Sequence, residues 1–289
     1  MSQPINPQEN RSAYVINPED PAETMRLQLL DDILTREMGS IFPPDYEPSA
    51  GHLVLDLACG PGGWALACAR AYPQLEIIGV DISQKMTRYA QAQAGLLALS
   101  NASFQEMNIL EHLAFPDAAF AFVNARLISG FLSKDAWAPL LQECLRVLEP
   151  GGILRLTDSD FPCTNALAQE QLSTLGARAT WLDGRSFSPD GRRADIMIVL
   201  AQFLREAGFA AVKHQAYALE FSFGTEAYDP WSHNLLIGYP LFLPYLLKQG
   251  VTTHQEFDQL YRQMIEEMNS PAFRGLQFFL SSWGNKPAG

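Results

Sequence analysis

The sequence combines a glycine-rich turn with an acidic residue at the end of the next apolar segment, and together these can bind a nucleoside. The apolar run 53–57 leads into Gly60 and Gly62, after which a helix is expected. Glycines let the backbone approach a ligand closely, and the start of a helix offers free N–H groups. Asp81 ends the next apolar run, where a carboxylate can accept hydrogen bonds from both hydroxyls of a ribose. The pattern therefore predicts a nucleoside site at the carboxyl ends of two neighbouring strands.

A dinucleotide-binding dehydrogenase is the alternative interpretation of this turn. The run Gly60-x-Gly62-x-x-Ala65 satisfies the dinucleotide pattern, so the glycines alone do not decide between the two. Asp56 ends the first strand, where its carboxylate would repel a pyrophosphate and attract a cationic amino acid. Pro61 inside the turn, and a long helical extension before the fold, also favour a compact ligand. An NAD-dependent oxidoreductase stays open as the second function.

From residue 50 onwards, predicted strands and helices alternate, which is typical of a parallel sheet covered by crossover helices. A helix precedes them: Asp20 is its expected cap, Pro21 and Glu23 suit its first turn, and Gly39 ends it. Residues 224–272 are expected to be helical and are rich in large apolar side chains. The predicted strands are 52–57, 75–80, 102–107, 119–124, 153–158, 210–222 and 275–283, and the predicted helices lie near 62–72, 84–99, 134–148, 164–182 and 193–207.

Composition narrows the possible partners and locations. The net charge is −12 and no run of Lys or Arg is present, so nucleic acid is a disfavoured partner. The four cysteines are scattered without a C-x-x-C pair, which indicates reduced thiols in a cytoplasmic protein. The longest apolar stretch, 235–247, is interrupted by Gly238, Pro240 and Pro244, so no membrane span is expected.

Four segments, in order, resemble the motifs of class I (Rossmann-like) S-adenosylmethionine-dependent methyltransferases, particularly the small-molecule methyltransferases. The run Leu55–Gly63 resembles the first motif, Val80–Ser83 the second, Phe104–Ile109 the third, and Leu145–Gly152 the turn before strand five. The resemblance covers residues 50–160 in detail. It implies an α/β fold with a seven-stranded, mostly parallel sheet in the order 3-2-1-4-5-7-6 and helices on both faces.

The same resemblance implies a division of the chain. Residues 1–49 would form an N-terminal arm and helical cap, and residues 50–223 with 273–289 the methyltransferase domain. Residues 224–272 would be a helical lid inserted between strands six and seven.

The implied cofactor is S-adenosyl-L-methionine. Asp56 would hold its ammonium group, Asp81 its ribose hydroxyls, and Asn108 would replace the usual Asp at the adenine amine. Gly60 and Gly62 would line its methionine portion. The full set implied at the cofactor is Tyr14, Arg26, Asp56, Ala58, Gly60, Gly62, Asp81, Ile82, Met86, Met107, Asn108, Ile109 and Asn124.

The aromatic helical segment favours a small, apolar or aromatic acceptor, methylated by in-line displacement. Arg126, Trp231 and Tyr239 are the expected substrate residues. A hydroxyl acceptor needs a base, for which His233 and Asp160 are the candidates. The Asn/Asp-Pro-Pro-aromatic turn typical of base methylation is absent after strand four.

Other interpretations remain open. Asp158 and Asp160 could bind Mg²⁺, although no metal is expected, and Cys163 could act as a nucleophile, although a structural role fits it better. A non-catalytic module that binds S-adenosylmethionine and regulates a partner is a further alternative. The sequence does not decide between a monomer and a homodimer.

Overall fold

The computed structural model describes residues 14–288. Within them strands and helices alternate along the chain, and the strands form a mixed sheet with helices on both faces. The strands are β1 Leu53–Leu57, β2 Glu76–Asp81, β3 Ala102–Glu106, β4 Phe120–Arg126, β5 Leu148–Ser159, β6 Cys163–Thr164, β7 Ala210–Glu220 and β8 Gly275–Asn285. The helices are α1 Pro21–Met38, α2 Gly63–Ala71, α3 Gln84–Leu96, α4 Trp137–Val147, α5 Leu167–Leu182, α6 Leu200–Ala207, α7 Tyr228–Lys248 and α8 His254–Met268.

The strand order confirms the predicted fold class. Along the sheet it is β3-β2-β1-β4-β5-β8, with β7 at the edge beside β8. Strands β1 to β5 are parallel to one another, and β8 runs antiparallel to both β5 and β7. Strand β8 thus takes the place of predicted strand seven, beside β5, and β7 takes the place of predicted strand six at the edge.

The two-residue strand β6 is an addition to that order. Cys163 pairs with Leu276 and Thr164 with Gly275, so β6 continues along β8 after β5 has ended at Ser159. A strand this short carries no hydrophobic periodicity and cannot be predicted from pattern. Residues 160–162, between the end of β5 and the start of β6, therefore form a break in the strand at the carboxyl edge of the sheet.

The central strands are buried on both faces, which explains their nearly continuous apolar sequences. In β4, Phe120 to Ala125 are all buried, and in β1 the residues Val54 to Leu57 are buried. Polar side chains within these strands are few, and they lie in register: Asp56 pairs with Asn124, and Asn124 with Arg155. The carboxyl ends of β1, β2, β4 and β5 meet at one edge, where ligands bind in such sheets.

Helix α1 begins and ends where the sequence predicts. Asp20 caps it by accepting a hydrogen bond from the Ala22 N–H, and Gly39 ends it with a φ of +67°. Glu23, which the sequence predicts to stabilise the first turn of α1, instead binds other side chains. Its carboxylate is fully buried and binds the side chains of Tyr14 and Arg26. Glu23 therefore belongs to the interior of the protein, although Pro21 at the start of the same turn is exposed.

Helices α5 and α6 begin later than predicted, for identifiable reasons. Helix α5 starts at Leu167, since Cys163 and Thr164 pair with β8. Before α6, the N–H groups of Ala194 and Asp195 are bound by the carboxylate of Asp160, so this stretch is not helical.

Helices α7 and α8 lie between β7 and β8, at the position predicted for the helical insertion. Helix α8 begins with a capping box formed by Thr253 and Glu256. Buried side chains of α7 and α8 pack with those of α1 and α5. Of the helices in residues 14–288, none combines the length and the apolar character required for a membrane span.

Candidate active site

A cavity of about 410 Å³ lies at the carboxyl ends of β1, β2, β4 and β5. Its walls also include the segment 14–18, helix α1, the strand break at 160–162 and helix α7. Small-molecule sites are typically about 300–1,000 Å³, so the cavity has the size of a ligand site.

Most residues predicted for the site line this cavity. They are Tyr14, Arg26, Asp56, Ala58, Gly60, Asp81, Ile82, Met86, Met107, Asn108, Ile109, Arg126, Asp160 and Trp231. Four others are absent from its described walls: Gly62, Asn124, His233 and Tyr239.

The glycine turn and Asp81 are joined directly. The Gly60 N–H donates to Asp81 Oδ2 at 2.8 Å, and the Ser83 N–H donates to Asp81 Oδ1 at 2.9 Å. A carboxylate has about four acceptor positions, so each oxygen keeps one for a ligand. Two adjacent ribose hydroxyls match that pair of free positions. Burial raises the pKa of Asp81, which two charge-assisted bonds from a ligand would offset.

Gly62 has a packing role in the structure. Its φ is +83°, and a Cβ there would lie 2.7 Å from Ala90 Cβ and 2.8 Å from Phe104 Cε1. Only a residue without a side chain allows α2 to approach α3 and β3 so closely.

Asp56 is 3% exposed and faces the cavity from the end of β1. Asn124 lies behind it on β4 and donates from Nδ2 to Asp56 Oδ1 at 2.7 Å. Burial raises the pKa of Asp56 to about 7. A ligand cation beside this carboxylate would favour its ionised form.

Asn108, the residue predicted to bind the adenine amine, already makes hydrogen bonds within the protein. Its Nδ2 donates to Glu111 Oε1 at 2.8 Å, and its Oδ1 accepts from the Leu110 N–H at 3.1 Å. One acceptor position on Oδ1 remains for an adenine amine.

Arg26 connects α1 to α7 across the cavity wall. Its Nε and Nη2 each donate to the Glu23 carboxylate at 2.7 Å, and Nη1 donates to Asn234 Oδ1 at 3.2 Å. The Tyr14 hydroxyl donates to the same carboxylate at 2.6 Å. The covering of the cavity therefore contains a buried polar network.

Asp31 is a cavity residue that the sequence did not indicate. It forms an ion pair with Arg126, the predicted substrate residue, and accepts a hydrogen bond from the Gly63 N–H at the start of α2. On α1 its acidic side chain resembles any solvated helix residue, and only the fold brings it to α2 and β4. The charge of Arg126 is thus compensated before any ligand binds.

Asp158 lines the cavity from β5, two strands away from Asp56 on β1. Its carboxylate accepts bonds from Ser129 Oγ at 2.7 Å, from the Ser129 N–H at 3.0 Å and from the Ser159 N–H at 2.9 Å. Burial raises its pKa to about 6.

Asp160, the predicted base, accepts three backbone bonds. Its oxygens bind the N–H groups of Phe161, Ala194 and Asp195 at 2.9 to 3.0 Å. The carboxylate holds the loop before α6 against the strand break.

Aromatic side chains also form part of the cavity wall. Trp231 is 4% exposed and packs against Phe221 and Phe279. Phe161 and Phe242 also line the cavity.

The other two predicted residues of α7 lie elsewhere. Tyr239 is buried and accepts a hydrogen bond from Gln169 Nε2 at 2.7 Å. His233 is exposed on the helix surface. The structure brings neither side chain to the cavity.

A Mg²⁺ site at Asp158 and Asp160 and a nucleophilic Cys163 were the less favoured alternatives near this edge. Within residues 14–288, His, Cys, Asp and Glu side chains form no group of three placed to hold a metal ion. Cys163 is exposed in β6, whereas the other three cysteines are buried.

The charged groups of the described cavity walls include more carboxylates than guanidinium groups. S-adenosylmethionine carries a sulfonium and an ammonium against one carboxylate, so an acidic cavity complements it. The carboxylates of the walls are those of Asp31, Asp56, Asp81, Asp158 and Asp160, and the guanidinium groups are those of Arg26, Arg126 and Arg185.

Comparison with known proteins agrees with this geometry. A family profile described as "Methyltransferase domain" matches residues 54–152. The demethylmenaquinone methyltransferase of Geobacillus kaustophilus is 27% identical over 182 residues, 58% of this chain and 74% of that protein. The O-methyltransferase resE of Aspergillus sclerotiorum is 28% identical over 198 residues, 68% of this chain and 67% of that protein. The structure of the YcgJ protein from Bacillus subtilis superposes with a TM-score of 0.52 at 20% identity, covering 84% of this chain and 95% of that one.

The strand order and the cavity at its carboxyl edge define a Rossmann-like nucleoside-binding protein. Together with the methyltransferase profile and the related enzymes, they show that the chain is an S-adenosylmethionine-dependent methyltransferase with a Rossmann-like fold. Its cofactor is S-adenosyl-L-methionine. The free acceptor positions of Asp81, the buried Asp56 and the acidic cavity fit that cofactor.

Proposed function

We propose that this methyltransferase acts on a small, apolar or aromatic acceptor. The observation that carries the proposal is one cavity whose walls combine the carboxylates Asp56 and Asp81 with the aromatic side chains of Trp231, Phe161 and Phe242. Two relatives support it: one is named for demethylmenaquinone and the other is an O-methyltransferase. Both names are compatible with an acceptor that carries an apolar ring.

At the cofactor end, we assign Asp81 to the ribose hydroxyls and Asp56 to the ammonium of the methionine portion. Ile82 and Met107 line the cavity beside Asp81 and would enclose the adenine, with Asn108 Oδ1 accepting from its amine. Segment 14–49 and helices α7 and α8 then act as the cap and the helical insertion around a methyltransferase domain. Residues 1–13 of the proposed N-terminal arm lie outside the described residues.

S-adenosylmethionine supplies a methyl group that is already activated on a sulfonium, so the protein mainly orients the acceptor and excludes water. Trp231 and Phe242 provide an apolar surface for the acceptor ring. The Arg26 network joins α1 to α7 in the cavity wall, where it would help to exclude water. An acceptor held in line with the sulfonium would then react without further activation of the methyl group.

Asp158 is the base that the geometry favours for a hydroxyl acceptor. Three of its four acceptor positions are filled by Ser129 and Ser159, which leaves one on Oδ2. A carboxylate fixed in this way, with its pKa raised to about 6 by burial, can take a proton near neutral pH. Asp160 also keeps one acceptor position and is the second candidate.

The experiment measures transfer of a labelled methyl group from S-adenosylmethionine to a panel of acceptors. The panel contains phenols and naphthohydroquinones, polar amines of similar size, peptides and single-stranded DNA. The proposal predicts turnover with the phenols or hydroquinones. Turnover confined to polar amines, peptides or DNA would contradict it. Calorimetry with S-adenosylhomocysteine and NAD, side by side, tests the cofactor independently.

The acceptor end is tested by Trp231→Phe, with Trp137→Phe as the matched control. Both tryptophans are buried, but only Trp231 lines the cavity. We expect W231F to raise the KM for the acceptor several-fold while leaving the affinity for S-adenosylhomocysteine nearly unchanged. W137F should change neither. Equal loss of acceptor and cofactor binding in W231F would count against the assignment.

A further inference from the structure

Arg155 is a buried guanidinium on β5, placed one side chain behind the cofactor site. It is 1% exposed and lies in the central sheet, where a positive charge is costly to bury without compensation. None of the ion pairs in residues 14–288 involves Arg155. Because burying this guanidinium destabilises the fold, Arg155 is expected to have a functional role.

The contacts of Arg155 are made to neutral groups. Nε and Nη2 donate to Asn124 Oδ1 at 2.9 and 2.7 Å, and Nη1 donates to the Ile41 carbonyl at 2.7 Å. The guanidinium carbon lies 5.2 Å from the ring centroid of Trp64 and 5.6 Å from that of Phe122. These bonds and rings hold the guanidinium in one orientation.

That orientation determines how Asn124 presents its amide. An arginine can only donate hydrogen bonds, so the amide atom that accepts two of them must be the oxygen. The amide nitrogen is then directed to the other side, where Nδ2 donates to Asp56 Oδ1 at 2.7 Å. Arg155, Asn124 and Asp56 thus form a directed chain of hydrogen bonds across three neighbouring strands.

We propose that Arg155 is a positioning residue for cofactor binding, which fixes the Asn124 amide toward Asp56 and stabilises the ionised carboxylate that receives the ammonium of the methionine. This inference rests on the role proposed above for Asp56. Without Arg155 the amide could rotate, and its oxygen would then face the carboxylate and repel it.

Other charged groups act on Asp56 besides Arg155. Arg126 on β4 favours the ionised form of Asp56 more strongly than Arg155 does, and its guanidinium is paired with Asp31 on α1. Asp31 itself acts in the opposite direction and raises the pKa of Asp56. Arg155 is a cation near Asp56 whose charge no carboxylate partner reduces in the described structure.

Two thiols complete the titratable surroundings of Asp56. Cys59 follows β1 and Cys68 lies on α2, and both are buried. Burial raises the pKa of each thiol, so both are neutral near pH 7 and add no charge there.

The test is the pH dependence of S-adenosylhomocysteine binding, measured by calorimetry from pH 5.5 to 8.5. Wild-type affinity should fall as the pH decreases and Asp56 becomes protonated. In Arg155→Met the midpoint of this fall should move upward by about one pH unit, which weakens binding about tenfold at a pH below both midpoints. Arg155→Lys retains the charge and should move the midpoint less than R155M does.

Asn124→Asp provides a second variant in case R155M does not fold. The new carboxylate keeps the buried guanidinium paired but cannot donate to Asp56, so N124D should also move the midpoint upward. Arg146→Met is the matched control, because Arg146 binds Glu143 and Asp117 and should leave the midpoint unchanged.

The outcomes separate the two proposals. If Asp56→Asn retains the wild-type pH dependence, the role of Asp56 itself is refuted. If D56N abolishes the dependence while R155M or N124D retains the wild-type midpoint, the inference about Arg155 is overturned and Asp56 keeps its role. An equal shift in R146M would also overturn the inference, because it would show a general effect of charge.

Discussion

Asp56→Asn should stabilise the unliganded protein at neutral pH while it weakens cofactor binding. Burial raises the pKa of Asp56 to about 7 from an ordinary value of 3.8. At low pH both the folded and unfolded chains carry the proton. Between these two pKa values the unfolded chain loses its proton first, so the free energy of unfolding of the wild type falls as the pH rises. A difference of about three pKa units corresponds to about 4 kcal/mol, reached above pH 7.

The asparagine variant lacks this pH-dependent term, and its oxygen can still accept the bond from Asn124. The difference in unfolding free energy between D56N and wild type should therefore shift in favour of D56N by about 2.5 kcal/mol between pH 5 and pH 8. Urea denaturation of both proteins at four pH values measures it. Asp258→Asn, at an exposed position of α8, is the control and should change stability little. A difference between D56N and wild type that is the same at every pH would refute the reasoning about a strained, buried carboxylate.

Three further predictions concern packing, proton transfer and thiol exposure. Gly62→Ala should lower the free energy of unfolding by about 2–4 kcal/mol, because its Cβ would overlap Ala90 and Phe104 at a positive φ. Gly60→Ala, whose nearest neighbour is 3.7 Å away, should lose only about 1 kcal/mol, and equal losses by urea denaturation would contradict this account. With a hydroxyl acceptor, kcat should rise with pH through about 6 in the wild type, following the pKa of Asp158. Asp158→Asn should remove that rise and reduce kcat by about 10²-fold or more, and a retained profile would exclude Asp158 as the base. Maleimide should label one cysteine of the native protein, at Cys163, and a Cys163→Ser variant should stay unlabelled until it is unfolded.

The sheet and its cofactor edge were predictable because local patterns encode them. Alternating predicted strands and helices indicated a parallel sheet, and the family resemblance implied its strand order, which the structure confirms. The turn at Gly60 and the carboxylate of Asp81 predicted the ligand edge, and the hydrogen bond between them agrees with that prediction. The roles assigned to individual site residues stay predictions, and their positions around one cavity support most of them. Gly62 shows where pattern was insufficient, since a glycine required for packing and one required at a ligand look alike in a sequence.

The parts that could not be predicted depend on contacts between distant segments. Asp31 reaches the site because α1 lies over α2 and β4, and no local signal distinguishes it from a surface acid. The guanidinium of Arg155 stays buried because Asn124 Oδ1 and the Ile41 carbonyl oxygen accept its hydrogen bonds. His233 and Tyr239 share one aromatic segment with Trp231, but of these three residues the orientation of α7 brings only Trp231 to the cavity. Such orientations follow from tertiary packing, which spacing alone does not specify.

Calorimetric titration of Asp81→Ala with S-adenosylhomocysteine tests the central claim most directly. Loss of two charge-assisted hydrogen bonds, each contributing about 1.5–3 kcal/mol, should weaken binding by about 10²- to 10⁴-fold. A thermal melt confirms that the variant is folded before the titration. We expect a nearly complete loss of measurable heat at micromolar ligand. Binding as tight as that of the wild type would contradict the assignment of this sheet edge to the adenosyl group.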